Sequence, residues 1–413
     1  MKQFSFLHCG DLHLGHLQFN EPQRVRDFAG RFQEVVRYAL DQRVDFVLIS
    51  GDFFHKRSIN AQTLGQAIEL LTPLKDANIP TVVIEGNHDK AFYLDKNSWL
   101  WFLNQQEYVY LLTPQYEEGK IILTPWDPAV RQGSWLDVGE ARIYGLGYLG
   151  ITTSARLSET AKLLPEVKDK YTVLMLHAAV NRLLVNDLGG VRRETMEQFC
   201  TKIDYVALGH IHNRYELDQW IFNPGSLECV HLDEYNPGCE KGFYHIRVNG
   251  GQTDASYVPS HFRPVALYSV DLSTSQTPEE AYDLIYQKIE RERPLPGALI
   301  QIVLRGYTPY SPHNLDLQRL TDTVKEEYGG CYAEIINRTN LPGNEQIRAE
   351  SFVRREDIEK LVFSRLLDSQ RSWSPDKLDG AVQVVQKIMD MALKGEKDSE
   401  IVDLLLSQGE VLL

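Results

Sequence analysis

The sequence predicts an α/β fold, and two patterns near its N-terminus support this class. Apolar runs of strand length alternate with segments of helical periodicity over residues 4–90. The runs at 45–49 and 81–84 are apolar almost throughout, as in parallel strands buried on both faces. Because parallel strands are joined by helical crossovers, this alternation predicts strand–helix–strand units.

The N-terminal elements follow from these patterns. The first strand is predicted at 4–8. In the next segment, apolar residues recur every three or four positions, from Val25 to Leu40, which predicts a helix at 21–42. A second helix is predicted at 61–77, between the two buried strands.

A short aromatic segment follows, and then mostly strands. The helix predicted at 97–105 contains Trp99, Trp101 and Phe102, which either pack in the core or form a homodimer interface, where aromatic residues are enriched. The later strands are predicted between 108 and 148 and at 171–177, 205–212, 220–223, 242–248 and 253–258, with a helical stretch before residue 205.

The C-terminal part divides into two segments. A β-α-β-α-β pattern predicts a compact α+β domain, and a helical region at 355–407 follows a linker at 338–344, with breaks at Ser374-Pro375 and Gly395. We therefore expect three domains, at 1–264, 265–340 and 341–413.

Composition places the chain among ordinary globular proteins. Hydrophobic residues make up 43% and charged residues 24%, which excludes disordered and collagen-like classes. No apolar run approaches the ~20 residues that a bilayer requires, and the N-terminus lacks the apolar core of a signal peptide. None of the five cysteines forms a CxxC pair. We expect a cytoplasmic protein with reduced thiols.

Five polar clusters carry the chemistry, and each lies just after a predicted strand. They comprise Asp11 and His13, Asp52, Asn87 and His88, His177, and His210 and His212. The carboxyl ends of the strands in an open α/β sheet are where ligands bind. Since alternate residues at a strand end point to the same side, we expect these side chains to converge.

The residue types indicate a dinuclear metal site. His, Asp and Asn together suit a divalent ion such as Mn²⁺ or Fe²⁺, and the lack of cysteine argues against structural zinc. Two ions about 3.5–4 Å apart can clamp both oxygens of a phosphoryl displacement, and Asp52 is the candidate bridge. Alone, GNHD could be a turn and His177 a core histidine, but the five ordered clusters favour the metal site.

The motifs D-x-H, GD, GNHD, H and GHxH, in this order, resemble the calcineurin-like metallophosphoesterase superfamily. More closely, the stretches LHCGDLHLGH, VDFVLISGDFFH, IPTVVIEGNHDK, YVALGHIHNRYE, NPGSLE and KGFYHIRV resemble SbcD-like nucleases, the nuclease subunits of a double-strand-break repair complex. The resemblance implies a metallophosphoesterase β-sandwich flanked by helices, a small α+β capping domain and a C-terminal helical segment.

The resemblance also implies roles for residues. One metal ion would be held by Asp11, His13, Asp52 and His212, and the other by Asp52, Asn87, His177 and His210. Mn²⁺ is expected, although Mg²⁺ or Fe²⁺ would also fit. His88 would be the general acid or a phosphate contact, and His55 would orient DNA.

Basic residues beside the motifs are the candidate DNA contacts: Lys56, Arg57, Lys90 and Arg214. The family pattern places an Arg three residues after His55, followed by Pro, whereas this chain has Lys56-Arg57-Ser58, which leaves the phosphate contact of Arg57 open. Asp89 is expected to accept backbone hydrogen bonds. The histidines outside the motifs are expected to be structural: His8, His16, His231, His245, His261 and His313.

The implied activity is that of a Mn²⁺-dependent DNA nuclease, a 3′→5′ exonuclease on duplex ends and an endonuclease on single strands or hairpins. The implied partners are DNA, a second copy of the chain through helices near 61–72 and 97–105, and an SbcC-like ATPase of the SMC type. The C-terminal helices either dock on that ATPase or form a cap on their own domain. Two alternatives stay open: a phosphoesterase acting on small molecules or phosphoproteins, and a non-catalytic scaffold.

The net charge of −14 by itself argues against a polyanion partner. The acidity is spread along the chain, however, with −4 in each of 265–349 and 350–413 and −6 in 1–264. Two divalent ions would bring the net charge of 1–264 to about −2. We expect weak non-specific DNA affinity for the isolated chain.

Overall fold

The computed structural model describes residues 3–92, 95–165, 170–180, 190–236, 238–341, 363–364, 375–394 and 398–407. The chain divides into two compact units, Met1–Asn340 and Leu341–Leu413. The boundary predicted at 264–265 falls inside the first unit and stays a prediction.

The first unit contains seventeen strands among its described residues. In chain order they are β1 (Phe4–Cys9), β2 (Phe46–Ile49), β3 (Thr81–Val83), β4 (Tyr110–Leu111), β5 (Gln115–Glu117), β6 (Lys120–Ile122), β7 (Trp135–Val138), β8 (Ala141–Gly147), β9 (Tyr171–His177), β10 (Tyr205–Gly209), β11 (Tyr215–Leu217), β12 (Ile221–Asn223), β13 (Gly242–Asn249), β14 (Gln252–Pro259), β15 (Val265–Asp271), β16 (Leu299–Arg305) and β17 (Tyr332–Asn337).

Seven α-helices accompany these strands in the described part of the first unit. They are α1 (Pro22–Gln42), α2 (Ala61–Asp76), α3 (Trp99–Gln105), α4 (Thr153–Leu163), α5 (Arg193–Glu197), α6 (Pro278–Arg291) and α7 (Leu317–Glu327). Helix α2 begins after Asn60 and α3 after Ser98, whose side chains accept the free backbone N–H groups of Thr63 and Trp101.

Two six-stranded sheets form the centre of this unit. The first has the order β14-β13-β1-β2-β3-β4 and the second the order β11-β12-β10-β9-β8-β7. In the first, β1 to β4 are parallel, and in the second, β8, β9, β10 and β12 are parallel. The carboxyl ends of these strands carry the five polar clusters.

The sheets pack face to face because each inner face is apolar. Phe6 and Phe46 of the first sheet share a core with Tyr205 of the second. Rings of Phe6 and Phe46 stack with centroids 4.8 Å apart, and the edge of Tyr205 lies against Phe6 at 5.3 Å. The β-sandwich implied by the resemblance is therefore confirmed.

Helices cover both outer faces. Alternate residues of β1 and β2, such as Leu7 and Val47, pack with α1 and α2 on one side. On the other side, residues of β9 and β10 such as Leu174 pack with α4 and α5. This division of alternate residues between two cores is the two-residue period of a strand buried on both faces. The aromatic side chains of α3 are half-buried against the first of these cores.

The small sheet β15-β16-β17 is parallel, with α6 and α7 as its crossovers, as the β-α-β-α-β pattern predicts. It is joined to the sandwich by specific contacts. The rings of Phe19 and Tyr332 stack 3.9 Å apart, and Arg263, just before β15, donates to the carbonyl of Gly297 at 2.7 Å and to the carboxylate of Asp27 at 2.6 Å.

In the second unit the structure describes two helices, α8 (Pro375–Lys394) and α9 (Asp398–Ser407). Helix α8 begins at Pro375, the second residue of the break predicted at Ser374-Pro375, and Ser374 lies outside the described residues. The break predicted at Gly395, and most of 342–374, lie outside the described residues. Among the residues that the structure describes, no helix is both long and apolar enough to cross a bilayer.

Candidate metal centre

The backbone after β1, β2 and β10 turns sharply, and these turns orient the polar side chains there. Asp11, His13, Asp52 and His210 have φ values of 51°, 48°, 49° and 92°. Strand β10 ends at Gly209, so His210 and His212 do not continue the predicted strand at 205–212. The expected alternation at a strand end is therefore wrong as the cause of convergence. Left-handed turns, which are uncommon for non-glycine residues, bring these side chains together instead.

Main-chain hydrogen bonds hold the first two loops side by side. The amides of Asp11 and His13 donate to the carbonyls of Gly51 and Asp52, both at 3.0 Å. The carboxylate of Asp11 in turn accepts the backbone N–H of His210 at 3.0 Å. These bonds fix three of the five clusters relative to one another.

The first group of ligand atoms comes from Asp11, His13 and His212, and these atoms all lie within 4.8 Å of one another. Nε2 of His13 is 3.2 Å from Nε2 of His212. Two imidazole nitrogens that face each other at this distance repel unless a proton or a cation lies between them. The first group therefore fits a metal ion.

The second group comes from Asp52, His177 and His210, also within 4.8 Å. Nδ1 of His177 donates to the carbonyl of Ser50 at 2.8 Å, so the Nε2 of a neutral ring carries a lone pair. That Nε2 lies 3.1 Å from Oδ1 of Asn87 and 3.3 Å from Oδ2 of Asp52. Three acceptor atoms converge here, which fits a cation.

Asp52 belongs to the second group and also lies beside His13 of the first. One of its oxygens accepts the N–H of His88 at 2.9 Å, and the other lies 3.3 Å from His177 and 4.0 Å from His13. Burial works against its charged form, yet the charge and hydrogen bond of His177 hold the pKa of Asp52 well below its usual range. A charged carboxylate between two donor sets suits the predicted bridging position.

Burial alone would lower the pKa of His177. The charge and hydrogen bond of Asp52, the charge of Asp11 and the carbonyl of Ser50 overcome burial and raise this pKa to about 9. Without a metal ion, a proton on His177 therefore occupies the place where the acceptors converge.

His88 lies beside this pair of groups. Its Nδ1 donates to the carbonyl of His55 at 2.7 Å, which leaves Nε2 as the atom available to a substrate. Ligand atoms of His13, His55 and His88 lie within 4.8 Å of one another. Burial and the neighbouring His88 lower the pKa of His55 to about 4, so His55 is neutral.

Asp89 links the GD and GNHD loops through hydrogen bonds to their main chain. It is buried and accepts the backbone N–H groups of Phe53, Phe54 and Gly86 at 3.1, 2.9 and 2.9 Å. These bonds join the GD and GNHD loops. The expectation that Asp89 binds backbone groups is confirmed.

The predicted DNA-contact residues differ in their surroundings. Lys56 is exposed beside His55, and Arg57 donates to the carbonyl of Asn87 at 3.2 Å. Lys90 pairs with Glu85 at 3.1 Å. Arg214 pairs with two carboxylates, those of Glu216 and Glu240, at 2.6 Å each. The predicted contacts stay predictions, and Arg57 is the one that contacts the main chain of a proposed ligand residue, Asn87.

The histidines outside the motifs also differ. His8 is buried, and its ring nitrogens bond Tyr205 and the carbonyl of Leu208, which confirms a structural role. His16 and His231 lie at the site instead: the ring of His16 stacks 3.5 Å from that of His55, and His231 stacks 5.8 Å from His212.

Two residues that hold the ring of His212 were not predicted from the sequence. Glu234 accepts from the ring of His212, and Lys241 donates to Glu234. Neither lies in one of the five clusters. The signal in the sequence is weak, since both follow the NPGSLE stretch and Lys241 begins KGFYHIRV.

The comparisons with known proteins define the class. The family described as calcineurin-like phosphoesterase matches residues 4–214, about half of the chain. The chain belongs to this family.

Archaeal proteins named "DNA double-strand break repair protein Mre11" are similar to this chain. The protein from Halobacterium salinarum is 42% identical over 343 residues, which cover 81% of this chain and 76% of that protein. The protein from Archaeoglobus fulgidus is 33% identical over 241 residues, which cover 55% of this chain and 51% of that protein. The protein from Haloferax volcanii is 29% identical over 304 residues, covering 73% and 61%. The chain thus matches only about half to two thirds of the length of several of these relatives.

Proposed function

We propose that this protein is a metal-dependent phosphodiesterase that cleaves DNA during double-strand-break repair. The observation that carries the proposal is the convergence of seven donor residues: two groups of three, with Asn87 beside the second group and Asp52 between the two. The names of the archaeal relatives support DNA as the substrate class.

The proposed residues divide into two sets of ligands. Asp11, His13, Asp52 and His212 would hold one divalent ion, and Asp52, Asn87, His177 and His210 the other. When bound, two such ions polarise the phosphate and clamp the attacking and leaving oxygens of an in-line displacement. Imidazole, amide and carboxylate donors together favour Mn²⁺ over Mg²⁺, which prefers oxygen ligands alone.

The chain's own residues handle the proton. The carbonyl of His55 fixes the ring of His88 through Nδ1, and in the imidazolium form of this ring Nε2 would donate a proton to the leaving 3′-oxygen. His55 and the exposed Lys56 and Arg57 lie beside it and would contact the DNA backbone. The proposed action is 3′→5′ on duplex ends and endonucleolytic on single strands or hairpins.

The proposed assembly is a cytoplasmic homodimer bound to an SbcC-like ATPase. The half-buried Trp99, Trp101 and Phe102 on α3 support a dimer surface close to α2. The helices of the second unit, α8 and α9, are the proposed docking element for the ATPase, in the manner of a helix in a groove.

A comparison of substrates tests this proposal. The full chain with Mn²⁺ is given duplex DNA labelled at either end, bis-p-nitrophenyl phosphate and a phosphoserine peptide, with Asp52→Ala as the matched control for contaminating nucleases. We expect the wild type to release the 3′ label first and to cut a DNA hairpin, while the control does neither. Hydrolysis of the phosphopeptide or the small diester with intact DNA would overturn the proposal and favour the alternative phosphoesterase.

A further inference from the structure

A carboxylate contacts His212, a proposed metal ligand, at the ring nitrogen that does not face the metal site. Its Nδ1 lies 2.5 Å from Oε1 of Glu234, and the same oxygen accepts the backbone N–H of His231 at 3.0 Å. The other oxygen of Glu234 accepts the backbone N–H of Val230 at 3.2 Å. A carboxylate can only accept, so Nδ1 of His212 carries the proton and Nε2 is left as the ligand atom.

Lys241 completes this arrangement. It is fully buried, with 0% of its surface exposed, and its ammonium group donates three hydrogen bonds. These go to Oε2 of Glu234 at 2.8 Å, to the carbonyl of His212 at 2.8 Å and to Oγ of Ser226 at 2.9 Å. Burial of an unpaired ammonium group would be costly, whereas this one faces an anion and two further acceptors. Lys241 therefore fixes both the carboxylate and the main chain of His212.

The loop that carries Glu234 is itself anchored. The side chain of Gln18 donates to the carbonyl of Val230 at 2.6 Å. Ser226, four residues before Val230 in the sequence, donates to the carbonyl of Glu228 at 2.8 Å. Glu228 forms a buried ion pair with Arg24 at 3.0 Å. These contacts leave little freedom for the carboxylate of Glu234 to move away from His212.

We propose that Glu234, held by Lys241, is a positioning residue that fixes the tautomer and the ring orientation of His212 toward the metal pair. The inference rests on the proposed two-metal function. Ligating histidines commonly donate their second N–H to an outer group, and loss of that group typically weakens metal binding by about 10–100-fold.

The two sites differ in this respect. His177, in the second group, donates its Nδ1 proton to the neutral carbonyl of Ser50. His212, in the first group, donates to the charged Glu234. A carboxylate makes the imidazole a stronger donor to a cation than a carbonyl does. Changes at Glu234 should therefore act on one of two ions and spare the other.

A calorimetric titration of the metal-free full-length chain with Mn²⁺ tests the inference. We compare the wild type with Glu234→Gln, which keeps the shape and removes the charge, and with Asp233→Asn, an exposed neighbour in the same turn. We expect two ions per wild-type chain. In Glu234→Gln, one site should weaken by ~10–100-fold and the other by less than about twofold, while Asp233→Asn should match the wild type.

A second pair of variants separates positioning from general support of the fold. Glu234→Asp keeps the charge but draws it away from Nδ1 of His212, so the Mn²⁺ affinity of the same site should fall. In a His212→Ala background, Glu234→Gln should cause no additional weakening, because its effect passes through that ring. Additional weakening there, or equal weakening of both sites with a lower unfolding temperature of the metal-free protein, would overturn the inference.

Three further outcomes are decisive. Unchanged affinity at both sites in Glu234→Gln overturns the inference while leaving the proposed function intact. Ligand atoms of His212, His231 and Glu234 also lie within 4.8 Å of one another, so a third bound ion that disappears in Glu234→Gln would mean that Glu234 is itself a ligand. A wild-type chain that binds fewer than two ions contradicts the proposed function instead.

Discussion

Nε2 of His177 lies 3.3 Å from Oδ2 of Asp52, and both side chains are buried at the point where the two sheets end. In the absence of a metal ion, this contact is an ion pair, since Asp52 is charged and the pKa of His177 is raised to about 9. A divalent ion at this place must displace the proton. The contact therefore links metal binding to pH.

The first prediction concerns this link. Because the proton competes with the ion, Mn²⁺ affinity should rise with pH up to about 9, by up to ~tenfold per unit from this group. Calorimetry at pH 7.5 in buffers of different ionisation enthalpy should detect at least one released proton per chain. No proton release and a flat pH profile would contradict the assignment of His177.

The same group gives the metal-free protein a pH-dependent stability. Its pKa is higher in the folded chain, about 9, than the ordinary value of 6.5. The stabilisation is thus fully present below pH 6.5 and is lost as pH rises through 9. The unfolding temperature in chelator should fall over this window, and His177→Gln should remove that part of the fall.

The second prediction is that Asp52→Ala loses both metal ions. The carboxylate lies between the two donor groups, so its removal takes a ligand from each. Elemental analysis after dialysis should find two manganese ions in the wild type and fewer than one in the variant. Two ions in Asp52→Ala would exclude the bridging role.

The third prediction separates chemistry from metal binding. His88→Ala removes the ring whose Nδ1 is held by His55 but leaves all seven proposed ligands in place. DNA cleavage should fall by about 10²–10⁴-fold, the typical contribution of a general acid. The metal content should be within error of the wild type. A variant that cleaves DNA at the wild-type rate would show that His88 is not the acid.

The fourth prediction tests the close approach of the loops. Gly51 has φ of 89°, and a Cβ at this position would overlap the ring of His177. Gly51→Ala should therefore displace His177, destabilise the chain by roughly 2–4 kcal/mol and weaken metal binding. Urea unfolding and Mn²⁺ titration measure the two effects.

Gly30 offers the matched control. It lies in α1, where an added Cβ would meet nothing within 4 Å. Gly30→Ala should stabilise the chain by about 0.5–1 kcal/mol, because alanine is the better helix former. If both substitutions had equal effects on Mn²⁺ affinity, the steric argument for Gly51 would fail.

The order of the elements and the donor set follow from the sequence. Buried strands at 45–49 and 81–84 are recognisable from their apolar character, and the polar residues just after them identify the edge of the sheet where they meet. This works because a parallel sheet places all its carboxyl ends together. Neither step requires knowledge of side-chain packing.

The detailed geometry could not be predicted in this way. The left-handed turns at Asp11 and His210 depend on hydrogen bonds between loops distant in sequence. The carboxylate of Glu234 contacts His212, and Lys241, the residue before β13, donates to both residues. Such contacts have no fixed spacing along the chain, so no local pattern reveals them.

We propose that two ions occupy the two donor groups, with Asp52 as a ligand of both. Anomalous diffraction at the manganese absorption edge, from crystals of the full chain grown with Mn²⁺, tests this arrangement. Two peaks are expected, one among Asp11, His13 and His212 and one among Asn87, His177 and His210, with Asp52 between them. A single peak, or peaks away from Asp52, would contradict the account.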